Sequence, residues 1–187
     1  MEKGFFLDRD GTIIEEANYL SRPEQLRLIP GAAEGIALAR KNGYRIIVIS
    51  NQSGIARGYF TMEDLLRVEK ALGEMLEEKG AKIDGWYYCP HHEKGIIPQY
   101  TKKCSCRKPL PGLVLQAAED LKIDLKRSAL VGDKLSDVEC AVNAGIPHYA
   151  QVTTGHGSEE KEKGSFPGMI RETSLLPAIE KLLKEME

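Results

Sequence analysis

Gly4-Phe5-Phe6-Leu7-Asp8-Arg9-Asp10-Gly11-Thr12 is the stretch that decides how this 187-residue chain is read. An apolar run of this kind reads as a buried strand, and it stops at two carboxylates two residues apart, followed by a glycine. Alternate side chains of a strand share a face, so Asp8 and Asp10 can reach one site, and Gly11 lets the backbone turn sharply behind them. Such a pair can hold a divalent cation and attack phosphorus. A D-x-D pair at a strand end is also a common solvated turn, so the chemistry needs support from elsewhere in the chain.

That support comes from three later segments. Ile46-Ile47-Val48-Ile49 ends in Ser50-Asn51-Gln52-Ser53-Gly54, which brings a hydroxyl and amide donors to a second strand end. Arg107-Lys108-Pro109 lies just before a helical pattern, and Ala129-Leu130-Val131 runs into Gly132-Asp133-Lys134 with Asp137 beyond. Nucleophile, hydroxyl, lysine and distal acid therefore follow one another along the chain.

Around these segments, apolar runs near 4–7, 45–49, 83–88, 128–131 and 147–152 alternate with helical patterns near 31–42, 61–79, 111–121, 136–144 and 174–186. The alternation predicts an α/β fold, a parallel sheet with helices on both faces, whose ligands collect at the carboxyl ends of the strands. Thr61 with Asp64 reads as an N-terminal cap, and Leu65, Val68, Leu72, Met75 and Leu76 form the apolar face of a helix that ends before Gly80. Pro111 suits a first helical turn. Gly155-His156-Gly157 and the charged run 158–163 read as an exposed loop without chemistry.

Composition sets the class. The length suits one domain over 1–187, and a formal charge of −2 with scattered basic residues argues against a nucleic-acid partner. There is no long apolar span for a membrane and no signal-peptide pattern at Met1-Glu2-Lys3, so the expected protein is cytoplasmic, with a monomer as the default.

Cys89-Pro90-His91 and Cys104-Ser105-Cys106 form a second constellation, separated by the twelve residues 92–103. Three thiolates and an imidazole are the usual ligands of tetrahedral zinc, and with all four positions filled by protein the metal would be structural. A disulfide or free thiols are the other readings, the disulfide being disfavoured in a reducing compartment. His92 is an alternative to His91 as ligand, while Cys140 reads as a buried small residue and His148 as structural.

The four motifs, Asp8/Asp10, Ser50, Lys108 and Asp133/Asp137, resemble in order and spacing those of the haloacid dehalogenase superfamily of phosphohydrolases, over most of the chain. With the zinc loop added, the chain is similar to the bacterial D-glycero-D-manno-heptose 1,7-bisphosphate 7-phosphatases and their relatives, the histidinol-phosphate phosphatases. The long gap between ligand pairs and Arg107 directly after the last ligand favour the heptose family. The resemblance implies a Rossmann-like three-layer fold with a central parallel sheet, no large cap domain, and an inserted zinc-braced loop over 89–106 that takes the cap's place. Its substrate would be a small phosphorylated sugar, on a route such as that to lipopolysaccharide precursors.

The resemblance also assigns roles. Asp8 is the nucleophile, Asp10 the acid and base, and Ser50 and Lys108 stabilise the phosphoryl group. The magnesium site is drawn from the Asp8 carboxylate, the Asp10 backbone carbonyl, Asp133 and the neighbouring Lys134, with Asp137 orienting Lys108 or supporting the metal shell. Zinc sits on Cys89, His91, Cys104 and Cys106. Glu16, Ala17, Asn18 and Tyr19 form a sugar-contacting loop, Ser50, Asn51, Gln52 and Ser53 contact sugar or phosphate, and Arg107 reads a distal phosphate. Ala17-Asn18 stands where His-Gly is frequent in the family, and Ser50 where threonine is frequent. The other class to weigh is a zinc-dependent binding module using the basic cluster Lys102, Lys103, Arg107 and Lys108, against which the near-neutral total charge argues.

Overall fold

A computed structural model describes residues 1–187. Each of the apolar runs forms a strand: β1 (Lys3–Leu7), β2 (Tyr44–Asn51), β3 (Gly85–Cys89), β4 (Ala129–Gly132) and β5 (His148–Val152). A sixth, β6 (Ile170–Glu172), has only three half-buried residues and left no apolar run to find. The sheet is parallel throughout, in the order β3-β2-β1-β4-β5-β6. The chain winds outward from β1 in one direction, then returns to its other side, so the strand order reverses beside β1, where an open α/β sheet forms its ligand crevice.

The helices are α1 (Ala32–Lys41), α2 (Met62–Glu77), α3 (Gly112–Leu121), α4 (Leu135–Ala144), the four-residue α5 (Gly157–Glu160) and α6 (Leu175–Glu185). Alternation in β1 sorts them into two layers. Phe5 and Leu7 join one core with α1, α2 and α6, through residues such as Ile36, Leu72 and Ile179. Phe6 faces the other core, with Leu113, Val114 and Ala117 of α3 and Val138, Cys140 and Ala141 of α4. Cys140 is fully buried and Met75 packs against the first core, as their helical positions imply.

Two details depart from the sequence reading. Pro111 sits one position before α3, where its carbonyl accepts from Leu115 N at 3.0 Å, and Gly112 opens the helix because a Cβ there would overlap the Ser105 carbonyl. The segment 157–163 is not an open loop: α5 is followed by a 3-10 turn (Lys161–Lys163), and Glu160 Oε2 accepts from Leu135 N at 2.6 Å, satisfying one of the unpaired donors that open α4. No helix is long and apolar enough to cross a membrane.

The expected cap of α2 is present. Thr61 Oγ1 accepts from Asp64 N at 3.1 Å, and Asp64 Oδ2 accepts from Thr61 N at 2.8 Å. Thr61→Ala removes one half of this box and is expected to lower unfolding free energy by about 1 kcal/mol in urea denaturation. A loss below about 0.3 kcal/mol would mean that the cap contributes little to α2.

Candidate active site

Leu7 lies opposite both Val48 of β2 and Val131 of β4, so Asp8 emerges between the ends of two neighbouring strands. Beneath it sits the Lys108 ammonium. Its Nζ is 2.7 Å from Asp8 Oδ1, 2.7 Å from Asp137 Oδ1 and 2.8 Å from the Ile49 carbonyl, which uses all three donors of the group. Burial opposes the charge, but the Asp137 and Asp8 carboxylates outweigh it and hold the lysine above its ordinary range. Lys108 is positioned from its backbone: Asn51 Oδ1 accepts from Lys108 N at 3.0 Å and Asn51 Nδ2 donates to Lys108 O at 3.1 Å. Asn51 thus holds the loop that carries Lys108 with its side-chain amide, and it also lines the cavity over Asp8.

Asp8, Asp133 and Asp137 bring carboxylate oxygens within 4.8 Å of one another, all on buried residues. Burial, reinforced by Asp8 and Asp137, pushes Asp133 up to about 9, and burial pushes Asp8 up to about 6 against the pull of Lys108. Asp133 Oδ2 accepts from His156 N at 2.8 Å, while its Oδ1 is buried with no partner. An acceptor-only cluster with one ammonium and an orphaned oxygen fits a small hard cation with oxygen ligands. The Asp10 side chain lies outside this group, in keeping with a ligand role for its backbone carbonyl; Lys134 lines the cavity, its ammonium has no lone pair to offer a cation, and its N–H donates to Asp137 Oδ2 at 3.1 Å.

Close approach requires glycine here. Gly11 has φ +85°, and a Cβ on it would overlap the Asp133 carboxylate; Gly155 stands against Gly11 from the loop after β5. The same loop donates from Thr154 Oγ1 to Gly11 O at 2.6 Å. His156 is therefore part of the site wall: its backbone orients Asp133 and its ring lies 3.7 Å from Glu16 Oε2, which corrects the reading of this loop as featureless. Only its flanking glycines hinted at such close packing.

Asp10 is fixed by neighbours on both sides. Arg9, 1% exposed, forks onto it with Nε and Nη2 at 3.0 Å each, and Gln52 Nε2 donates to its Oδ2 at 3.0 Å. Gln52 Nε2 also lies 2.7 Å from Ser50 Oγ, which accepts and keeps its own O–H to donate. Arg9 was not singled out from the sequence, since an arginine between two aspartates reads as solvated charge.

Above this floor opens a cavity of about 550 Å³, lined among others by Asp8, Asp10, Glu16, Asn18, Tyr19, Gln52, Ser53, Arg57, Arg107 and Lys108. Ala17 is half-buried and packs against the core. Asn18 and Tyr19 both have positive φ, +48° and +64°, and asparagine is the side chain that best tolerates that region after glycine. Asn18 N donates to Glu16 Oε1 at 2.9 Å, and Tyr19 meets Tyr59 edge to face at 4.6 Å.

The second constellation also assembles. Cys89, His91, Cys104 and Cys106 gather their ligand atoms, with contacts of 2.9 Å (Cys89 to Cys106), 3.3 Å (His91 Nδ1 to Cys106) and 3.5 Å (Cys89 to Cys104). No sulfur pair is bonded, and thiolates in a tetrahedral zinc shell of about 2.3 Å radius stand about 3.7 Å apart, so the group fits that ion. Burial opposes ionisation of Cys104, yet hydrogen bonds from Cys106 and the Arg107 backbone hold its thiol below the ordinary range. His92 is outside the group: its Nδ1 accepts from Lys94 N at 3.0 Å and its Nε2 faces Arg57.

A HAD-hydrolase-like family model matches residues 105–178. The chain is 44% identical over 161 residues to a D-glycero-alpha-D-manno-heptose-1,7-bisphosphate 7-phosphatase of Photorhabdus laumondii, covering 86% of this chain and 88% of that protein. It is 38% identical over 184 residues to the D-glycero-beta-D-manno-heptose-1,7-bisphosphate 7-phosphatase of Pasteurella multocida, covering 98% and 100%. Among solved structures, the D,D-heptose 1,7-bisphosphate phosphatase of B. bronchiseptica, complexed with magnesium and phosphate, matches with a TM-score of 0.87 at 31% identity, over 98% of this chain and 99% of that one. With such identity along nearly the whole length, the chain belongs to the haloacid dehalogenase superfamily of hydrolases and, within it, to the D-glycero-D-manno-heptose 1,7-bisphosphate 7-phosphatase family.

Proposed function

We propose that this phosphatase removes the C7 phosphate of D-glycero-D-manno-heptose 1,7-bisphosphate, with Asp8 as nucleophile, and leaves heptose 1-phosphate. The observation that carries the reading is the ammonium of Lys108 held 2.7 Å from Asp8 at the floor of a cavity whose rim bears Arg107. A monoester phosphate demands a nucleophile shielded from its charge, and a second phosphate demands a cation at a distance from the first.

Magnesium, with Asp8 and Asp133 as the carboxylates that would hold it, supplies charge screening at the phosphoryl group. The protein's own groups do the rest. An Asp8 oxygen attacks phosphorus in line, the bond to the sugar C7 oxygen breaks, and Asp10 gives that oxygen its proton. Arg9 and Gln52 hold the direction of the Asp10 carboxyl throughout. As Asp8 becomes an acyl phosphate it loses its charge, so the Lys108 donor that served it turns to a phosphoryl oxygen, alongside the hydroxyl of Ser50. Asp10 then takes a proton from water, which attacks the same phosphorus and releases phosphate, regenerating Asp8.

Zinc on Cys89, His91, Cys104 and Cys106 is read as structural, since all four positions are protein atoms. The loop it closes leans on the segment after β2, where the Ala56 carbonyl accepts from Ile96 N at 2.7 Å and Ile97 N at 3.0 Å. Arg107 follows directly on the last ligand, which supports a rim position set by the metal.

The deciding experiment compares magnesium-dependent phosphate release from both anomers of heptose 1,7-bisphosphate and from histidinol phosphate at matched concentrations. Preference for a bisphosphate anomer, with a monophosphate product, is expected; preference for histidinol phosphate would overturn the substrate. Asp8→Asn is expected to keep the circular-dichroism spectrum and lose turnover entirely, so hydrolysis above a mock-purified background would remove Asp8 from its role. Cys104→Ser is expected to lose zinc by elemental analysis while magnesium dependence persists. One zinc per chain in that variant would contradict the ligand set.

A further inference from the structure

We infer that Arg57 and His92 complete, together with Arg107, a subsite for the second anionic group of the substrate. The inference rests on the bisphosphate reading above and adds two residues to it. Arg57 lies on the turn after β2 and Arg107 on the zinc loop, and both line the cavity of about 550 Å³ that opens over Asp8. Arg57 Nε and Arg107 Nη1 are buried, and neither has a hydrogen-bond partner. Orphaned guanidinium donors of this kind are costly unless an acceptor arrives from outside.

His92 adds a further donor without an acceptor. Its Nδ1 accepts from the Lys94 backbone N–H at 3.0 Å, so that nitrogen offers its lone pair and the ring's proton sits on Nε2. Nε2 in turn faces Arg57 Nη2 at 3.2 Å. Two donors therefore meet with no acceptor between them. Glu93, in the same loop, pairs with Lys103 at 3.6 Å and does not serve them. His92 also lines a neighbouring cavity of about 300 Å³ that shares Arg107, Lys108 and Pro109 with the larger one.

An anionic oxygen resolves all of these contacts at once. A phosphate presents several acceptors, enough for the Arg57 fork, His92 Nε2–H and Arg107 together, and planar guanidinium groups favour paired bonds to it. The Ala56 carbonyl links, which seat the zinc loop on the Arg57 turn, keep the two sides of this subsite together.

The test uses the zinc-loaded enzyme and the variants Arg57→Gln, Arg57→Lys and His92→Phe. The readouts are kcat/KM on heptose 1,7-bisphosphate and heptose 7-phosphate, and calorimetric Kd for heptose 1-phosphate, which carries the distal group alone. Arg57→Gln is expected to lower the bisphosphate-to-monophosphate selectivity at least tenfold and to weaken heptose 1-phosphate at least tenfold. Arg57→Lys is expected to recover part of both, and His92→Phe to lose about threefold in each, with one zinc per chain retained. Unchanged selectivity and Kd in Arg57→Gln, or a parallel fall on both substrates, would overturn the inference. A wild-type enzyme that does not favour the bisphosphate would instead sink the substrate assignment, and the heptose 1-phosphate Kd would then decide the subsite alone.

Discussion

The structure depends on one buried cation. The Lys108 ammonium touches the end of β1 through Asp8, the end of β2 through the Ile49 carbonyl and the start of α4 through Asp137. Removing a charge from water is costly unless it is paired and fully hydrogen-bonded, and here each of the three donors has an acceptor. Three acidic groups would repel one another in the same space without it. The ammonium thus makes it possible to concentrate carboxylates at a strand switch, where a cation and a phosphate can meet them.

Around that point the glycines and the small loops determine distances. Gly11 and Gly155 let the loops after β1 and β5 come close enough for Asp133 to be held by the His156 N–H. On the other side, the sulfur and imidazole cluster does the packing that a polar loop cannot. A loop with few apolar residues has little to bury, so its shape rests on this cluster and on backbone bonds such as those to the Ala56 carbonyl. Rim and floor are therefore built by different physics.

Much of this was legible in the sequence, for stated reasons. Continuous apolar runs ending in polar motifs located β1, β2 and β4 and the side chains they present, and the Thr61–Asp64 spacing located the start of α2. What escaped has physical causes too. β6 is a short edge strand with no buried run, and α5 is a charged segment whose Glu160 caps a distant helix, a contact no local pattern reveals. Arg57 and His156 matter through partners far away in sequence, and the adjacent Arg9–Asp10 pair escaped because nothing in the local pattern shows that the arginine is buried. Asn51 lines the cavity as its motif implied, and its second task, holding the Lys108 backbone, depends on a partner 57 residues away that no local pattern reveals.

The position of β1 carries one more consequence. It is bordered on both sides, by β2 and β4, and its residues Gly4 to Leu7 are buried, the setting in which amides open last and close to global unfolding. The reacting groups come from both flanks of that strand. Peeling away either flank dismantles the site, so no half-folded species retains it, and the fraction of chain that turns over substrate equals the fraction whose central strands are all in register.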